Sequence, residues 1–500
     1  MTGPSERQGL LLAIDQGTSA TKAVVVDLAG EVRARASVPI AQEFPQPGWA
    51  EQDAMEIWRS AQQAVRLAVA EVDPGRVAAV GLSTQRESMV LWDRASGKPL
   101  GPVLGWQDTR GAAQCAQLRA EGHADQVREL TGLPLDAMFS ASKASALLDT
   151  YDPDRTLSRR GELCLGTVDS WLLWRIGGEH LIEAGNAART QLLDISTRTW
   201  DATLLKLFNV PVEALPRVVA STGPFVLCRD LGPLAETVPV TGVLGDSHAA
   251  LFAHAGWQPG QVKVTYGTGS SVMTVTHGAT GGGAGAATGV ARTIAWELDE
   301  PAYALEGNIR SSGATLTWLA AVFGSTPAQI AAAAGPSSGG VVLVPAFTGL
   351  GAPWWNDQAR ATITGISAGT RLEHIARAGL EAIAFQIEDV IAAADQAGDP
   401  IGTILADGGP TTNPTLMQLQ SDTSGRDVAT SQVAELSALG AAHVAGFGAG
   451  LWSLDDLERL PRDRTTYTPR STAQQRVERQ RGWHAAVSSA LGTPHLLETH

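Results

Sequence analysis

The stretch LLLAIDQGTSATKAVVVD, residues 10–27, decides how the whole chain is read. A short apolar run, residues 10–14, stops at Asp15. A polar turn, Gln16-Gly17-Thr18-Ser19-Ala20-Thr21, follows, and a second apolar run returns over residues 23–26. Apolar runs of this length bounded by turn residues are buried strands. The unit is a strand, a turn and a returning strand, with one carboxylate at its mouth. Gly17 lets the backbone approach a ligand, and Thr18 and Ser19 add hydroxyls beside free N–H groups, a nest suited to phosphate. Asp15 stands where a divalent metal carried by that phosphate would sit. A plain hairpin with a capping aspartate accounts for this stretch equally well.

Around that unit the chain has 500 residues, 44% hydrophobic and 18% charged, enough for two domains. A net charge of -14 disfavours nucleic acid and anionic membranes as partners. Cys115, Cys164 and Cys228 form no CxxC pair and read as buried thiols of a reducing compartment, so the cytoplasm is expected. The opening MTGPSERQG lacks a signal peptide's apolar core, and no apolar run approaches membrane-spanning length.

Asp53 predicts a helix cap, with Trp58, Ala61, Val65, Ala68 and Val72 along one face of the helix behind it. Buried strands are expected over 77–83, ending in Thr84-Gln85-Arg86-Glu87, and over 89–92, which leads through the Gly97 turn to Val103-Leu104-Gly105-Trp106-Gln107-Asp108. Ligands in α/β proteins sit at such strand ends, although Arg86 beside Glu87 also fits a plain surface ion pair. Residues 109–235 read as mostly helical and irregular. The strand over 239–245 ends at Asp246, where Asp246 or Ser247 opens a helix. His248 and His254 have the wrong spacing for a shared metal site.

The opening pattern then returns. A strand, Val262-Lys263-Val264-Thr265-Tyr266, meets Gly267-Thr268-Gly269-Ser270-Ser271, about half a chain beyond Gly17-Thr18-Ser19. Two such units predict an internal duplication and twin hairpins cradling one polyphosphate across a cleft. The Gly/Ala-rich tract 278–289 reads as a mobile loop. A long helix is expected over 372–394 with Leu372, Ile375, Gly379, Ile383, Ile387 and Val390 in register. A strand over 403–406 leads to Asp407-Gly408-Gly409, then to Asn413 and Pro414 as helix cap and first turn. A small-residue helix over 438–450 suits close packing.

Together these residues resemble the FGGY carbohydrate kinases, most closely their glycerol kinase branch, almost end to end. The shared motifs are AIDQGT, PQPGWAEQDAMEIW, STQRE, GTVDSWLLW, YGTGS, YALEG, VPAFTGLGAPWW, GISAGTRLEHIARAGLEAIAFQ, DGGPTTN and LGAAHVAG. The resemblance implies an α/β fold of two ribonuclease H-like, actin-like ATPase domains, expected over 1–253 and 254–500, with MgATP and substrate meeting between them. It implies Asp246 as the general base, Asp15 as the metal ligand, and Gly17, Thr18, Ser19, Lys22, Gly267 and Thr268 at the phosphates. Gly313, Gly409 and Asn413 match positions near the adenosine end. Arg86, Glu87 and Trp106 match residues that orient the polyol, where Met138, Ser247 and Ser271 also belong.

This chain departs from the branch on the substrate side. Met138 stands for Tyr, Ser247 for Gln, Ser271 for Phe, and Ala146 for the signature's Trp. The branch's allosteric loop is replaced by Gly232-Pro233-Leu234-Ala235-Glu236, which offers no anion-binding Arg. The expected activity is ATP-dependent phosphorylation of a terminal hydroxyl of a small polyol, glycerol or slightly longer, with ATP and Mg2+ and as a homodimer. A ketose or other sugar as acceptor, and a non-catalytic actin-like scaffold, are the alternatives.

Overall fold

The computed structural model describes residues 9–258, 260–276, 289–431, 433 and 435–492. The first half is built on a six-stranded sheet. Its strands are β1 (Leu10–Gln16), β2 (Ala20–Asp27), β3 (Val32–Pro39), β4 (Val77–Thr84), β5 (Thr222–Leu227) and β6 (Pro239–Gly245). Their spatial order is β5-β6-β4-β1-β2-β3. The β1–β2 and β2–β3 pairs are antiparallel, whereas β4 runs parallel to both β1 and β6.

The second half repeats this plan in a seven-stranded sheet. It contains β7 (Gln261–Tyr266), β8 (Ser270–Thr276), β9 (Ala291–Glu297), β10 (Pro301–Ile309), β11 (Thr403–Asp407), β12 (Asp427–Ser431) and β13 (Arg464–Tyr467). The order is β9-β10-β8-β7-β11-β12-β13. Strands β1, β2, β3, β4 and β6 thus have counterparts in β7, β8, β10, β11 and β12, with the same neighbours and directions.

Burial explains why β1 reads as an unbroken apolar run. Leu10, Leu12 and Ile14 face a core shared with helices Ala54–Val69 and Val168–Gly177. Leu11 and Ala13 face a second core with helices Asp246–Ala253 and Leu436–Gly448. A strand covered on both faces has no polar positions to alternate.

Helix 436–448 belongs to the second half of the chain but lies on the first sheet. A Cβ on Gly440 would sit 1.8 Å from Ala249 O, and one on Gly81 would sit 2.0 Å from Ala441 O. Only small residues permit that approach, which is the close packing expected of this segment. Thr241 Oγ1 also donates to Ala445 O at 2.8 Å.

The helix after Asp53 ends at Val69 rather than Val72, because Asp73 and Pro74 open a separate short turn. Residues 109–235 are less helical than expected and include strands Leu163–Gly166, Leu181–Glu183, Arg217–Val219 and β5. The long helix spans Leu372–Ala397, with Leu372 exposed and the buried stripe beginning at Ala376. Asn413 caps helix Pro414–Ser424 as expected, its side chain accepting from Thr415 and Leu416 N–H. The three cysteines are buried and unpaired. Tract 278–289 lies outside the described residues except for Gly289. Among the described residues no helix is long and apolar enough to cross a membrane.

Candidate active site

The strand ends set the site. β1 ends with Asp15 and Gln16, β6 runs into Asp246, and β11 ends with Asp407, so three carboxylates arrive at one edge of the two facing sheets. The cleft there holds about 410 Å3 and is lined by Asp15, Lys22, Asp246, Ser247, Lys263, Thr265, Asp407, Gly408 and Gly409, among others.

Asp15 Oδ1 accepts from Ser83 Oγ at 2.8 Å. Burial pushes its carboxyl up to about 6, against the pull of Ser83. Lys22 stands directly across the hairpin. Asp246 is the first residue of its helix, and its Oδ1 accepts from Ser247 N–H at 2.6 Å. The same oxygen lies 3.5 Å from Arg86 Nε, while the side chain keeps 39% of its surface exposed. Desolvation raises the Asp246 carboxyl above the ordinary aspartate value, and Arg86 opposes the rise.

Arg86 and Glu87 are not a surface pair. Arg86 is bidentate to Glu306, with Nη1 and Nη2 at 2.8 and 2.7 Å from its two oxygens. Glu87 Oε1 accepts instead from Arg189 Nε at 2.6 Å, and Arg189 Nη1 lies 2.9 Å from Glu306. All four residues are buried. The two arginines hold Glu306 well below the usual carboxylate range despite its burial. Glu87 has φ +61°, and Ser88 N–H donates to Arg86 O at 2.7 Å. This tight three-residue turn holds a non-glycine residue in left-handed backbone, a strain that surrounding contacts must maintain.

Asp15, Lys22, Asp246, Ser247 and Gly409 are the expected residues that line the cleft. The others stand around it. Trp106 Nε1 donates to Thr18 Oγ1 at 3.0 Å, so an expected substrate residue orients an expected phosphate residue. Ser19 and Thr268 are exposed at the tips of their hairpins. Gly313 N–H donates to Gly267 O at 2.9 Å, and a Cβ on Gly313 would lie 2.6 Å from that oxygen. Asn413 engages its side chain in the helix cap. Met138 packs beside Leu133, Phe139 and Ala291, and its carbonyl accepts from Lys143 Nζ at 2.5 Å. Ser271 lies opposite Thr265 and Asn308, with its Oγ buried and without a partner among the described residues.

Sequence reasoning passed over Lys263, Thr265, Asp407, Arg189 and Glu306. Two of them carried a signal: Lys263 and Glu306 are lone charges inside otherwise apolar strands, where an ion needs a reason to be buried.

Two copies of one sheet plan, facing across an acidic cleft with hairpin nests at its mouth, define a two-domain phosphotransferase of the actin-like ATPase plan. Residues 10–253 match the N-terminal domain of the FGGY family of carbohydrate kinases and residues 262–449 its C-terminal domain, and the chain belongs to that family. A glycerol kinase of Aromatoleum aromaticum is 44% identical over 501 residues, covering 95% of this chain and 99% of the relative. A glycerol kinase of Methylibium petroleiphilum is 42% identical, covering 96% and 99%. Plasmodium falciparum glycerol kinase, solved with ADP, superposes with a TM-score of 0.89 at 29% identity, covering 97% of this chain and 98% of that one. Lactobacillus acidophilus xylulose kinase shares the fold at a TM-score of 0.87 and 21% identity, covering 97% and 98%. The chain is an ATP-dependent carbohydrate kinase of the glycerol kinase-like type.

The residues present fit magnesium ATP. Asp15 faces the cleft with one oxygen held by Ser83 and Lys22 opposite. Lys263 brings a buried ammonium without a hydrogen-bond partner among the described residues. Among the described residues, none beyond Gly409 and its two chain neighbours has an atom within 4 Å of where a Cβ on Gly409 would be, so a ligand can reach that backbone.

Proposed function

We propose that the chain transfers the γ-phosphoryl group of ATP to a terminal hydroxyl of a small polyol, glycerol or a slightly longer one. The observation that carries this reading is Asp246, poised at the cleft with Oδ1 held by Ser247 N–H and Arg86. That leaves Oδ2 to take the proton of an attacking hydroxyl. Magnesium ATP supplies the phosphoryl group and the charge that steadies it when bound. Asp15 holds the metal, while Gly17, Thr18, Ser19, Lys22, Gly267 and Thr268 cradle the phosphates. Gly313, Gly409 and Asn413 shape the adenosine end. Arg86, Glu87 and Trp106 orient the acceptor, with Met138, Ser247 and Ser271 completing its pocket.

In this reading residues 1–253 form the substrate and phosphate side and 254–500 the nucleotide side. A cytoplasmic setting fits the three unpaired buried thiols. A homodimer fits the exposed apolar face of Trp318, Val322 and Phe323. A ketose as acceptor is the second reading, favoured by the unpartnered Ser271 Oγ, which could meet an additional polar group. A non-catalytic scaffold would need neither Asp246 at the cleft nor the buried Arg86–Glu306 pair.

The test is ADP release, coupled to a reporter, over glycerol, tetritols, pentitols and ketoses. Turnover on at least one polyol is expected. No turnover on any polyol, with turnover on a ketose, would replace the first reading by the second.

A further inference from the structure

Lys263 sits in the middle of β7, between Val262 and Val264, in a strand covered on both sides. Its side chain is fully buried, yet among the described residues Nζ has no hydrogen-bond partner. Lys143, equally buried, shows what a structural lysine looks like in this chain. Its Nζ donates to the carbonyls of Ala137, Met138 and Phe139 at 2.8, 2.5 and 3.1 Å. An ammonium taken from water without partners is expensive. A native fold keeps one where a ligand completes it, because function tolerates a local loss of stability.

The surroundings say what that ligand is. Lys263 lines the cleft with Asp15, Asp246 and Asp407, and Thr265 lies on the same face two residues along. Asp407 already accepts from His254 Nε2 at 3.2 Å. Asp246 Oδ1 is already held by Ser247 N–H. A further carboxylate ligand would meet three like charges, whereas a phosphoryl group arrives with its own metal and has oxygens to offer. Charge in phosphoryl transfer spreads over the equatorial oxygens, and fixed cations aimed at them lower the barrier most.

We propose that Lys263 is a phosphoryl-binding residue, its ammonium donating to an oxygen of the phosphoryl group as it passes from nucleotide to acceptor. The proposal rests on the kinase reading above. The acceptor oxygen forms its bond to phosphorus as the bond to the leaving diphosphate breaks. The hydroxyl proton goes to Asp246, and Lys263 keeps its three protons throughout. The rival role is a structural counter-ion for Asp407 and Asp246.

Lys263→Met separates the two, since it keeps the length and apolar stem but removes the charge. Three quantities are read: melting temperature without ligand, the melting shift given by magnesium ADP with vanadate as a phosphoryl mimic, and kcat. We expect an unchanged or higher melting temperature, loss of the vanadate-dependent shift with the magnesium ADP shift retained, and kcat lowered by roughly 10²–10³-fold, as for loss of one oxyanion donor. Lys263→Ala should recover part of its activity with added propylammonium. A ligand-free melting temperature several degrees lower assigns Lys263 to the counter-ion role, and a retained vanadate shift or near-wild-type kcat also overturns the proposal. Wild-type protein with no response to magnesium nucleotide overturns the kinase reading and the proposal together. Wild-type protein that responds to nucleotide but phosphorylates no polyol overturns only the acceptor, and the vanadate shift still decides Lys263.

Discussion

The two halves place a carboxylate and a hydroxyl on equivalent parallel strands, in opposite order. In the first half Asp15 on β1 stands beside Ser83 on β4 and accepts its hydroxyl. In the second Thr265 on β7 stands beside Asp407 on β11, and its hydroxyl helps lower that carboxyl. Their surroundings differ. Asp407 also has His254 at 3.2 Å, and Lys263 nearby, and its carboxyl lies below the ordinary value. Asp15 has Ser83 and Lys22 but is repelled by Asp246, and burial carries it up to about 6. Asp407 is satisfied by its own chain, whereas Asp15 is short of cations, which fits the metal-holding role proposed for it. The same carboxylate–hydroxyl pairing, with its two members exchanged between the strands, thus sits in two different settings, decided by what packs behind it.

The hairpins diverge in the same way. The first encloses residues 17–20 between Gln16 and Thr21, and side chains hold it: Gln52 Nε2 donates to Thr18 O at 2.8 Å and Trp106 to its hydroxyl. The second encloses residues 267–269 and is locked by backbone. Gly313 and Ala314 N–H bond Gly267 O and Thr268 O at 2.9 and 3.0 Å, and a Cβ on Gly269 would lie 2.4 Å from Ile309 O. The second turn is therefore set by the fold, while the first responds to what Trp106 touches.

The sharpest break of the equivalence lies after β6 and β12, each of which runs on to a helix at the interface. Asp246 opens one, and Glu435 precedes the other; both line the cleft, but Glu435 pairs with Arg35 at 3.4 Å. Asp246→Asn is expected to lower kcat by roughly 10²–10⁴-fold, the range for loss of a positioned base, with nucleotide binding retained. Glu435→Gln should stay within a few-fold of wild type. Comparable losses in the two variants would remove the assignment of the base to the first half.

Next in size is stability. Asp407→Asn takes a charged acceptor from a buried histidine and should cost about 1.5–3 kcal/mol at neutral pH. Asp15→Asn removes a buried charge that Ser83 and Lys22 offset only in part, and should cost little or stabilise the metal-free protein. Stability depends on pH through Asp407. Its folded value lies below 3.8, the ordinary one, so its contribution is present above that value and is lost as pH falls through the folded value. Urea unfolding of wild type and Asp407→Asn should therefore converge in acid. A gap that widened instead would mean that Asp407 is not held as an anion.

Much of this was legible in the sequence, for stated reasons. Strands buried on both faces show as unbroken apolar runs, hairpin tips as Gly/Thr clusters, and a duplicated plan as a repeated pattern half a chain apart. The Asn413–Pro414 helix start is a local signal and held in place. What local pattern could not carry is the identity of distant partners. Arg86 finds Glu306, and Asp407 finds His254, across most of a domain or more. Helix 436–448 announced close packing through its glycines and alanines, but nothing in it named the sheet of the other half. Apolar spacing also ran past the useful packing at Val72 and Leu372, because periodicity marks a face and not where that face ends.

The smallest expected effect concerns the acceptor. Ser271 lies directly opposite Thr265 on one side and Asn308 on the other. Residues directly opposite share a sheet face, so these three form a polar strip. The strip begins at the cleft, which Thr265 lines, and two residues beyond Asn308 is Arg310, 3.9 Å from Asp136 in the loop of Met138. It therefore runs from the phosphoryl end towards the expected acceptor loop, and the unpartnered Ser271 Oγ sits at its centre. On the proposed reading, a four-carbon polyol would carry a further hydroxyl for Ser271 that glycerol lacks. Ser271→Phe would replace that hydroxyl with an apolar wall. The ratio of kcat/KM for a tetritol over glycerol should then fall by about tenfold, the scale of one lost hydrogen bond. The measurement is the ratio itself, so a general loss of activity does not imitate the effect. An unchanged ratio would place the acceptor away from the strip and return Met138 and Ser247 to the role of packing residues.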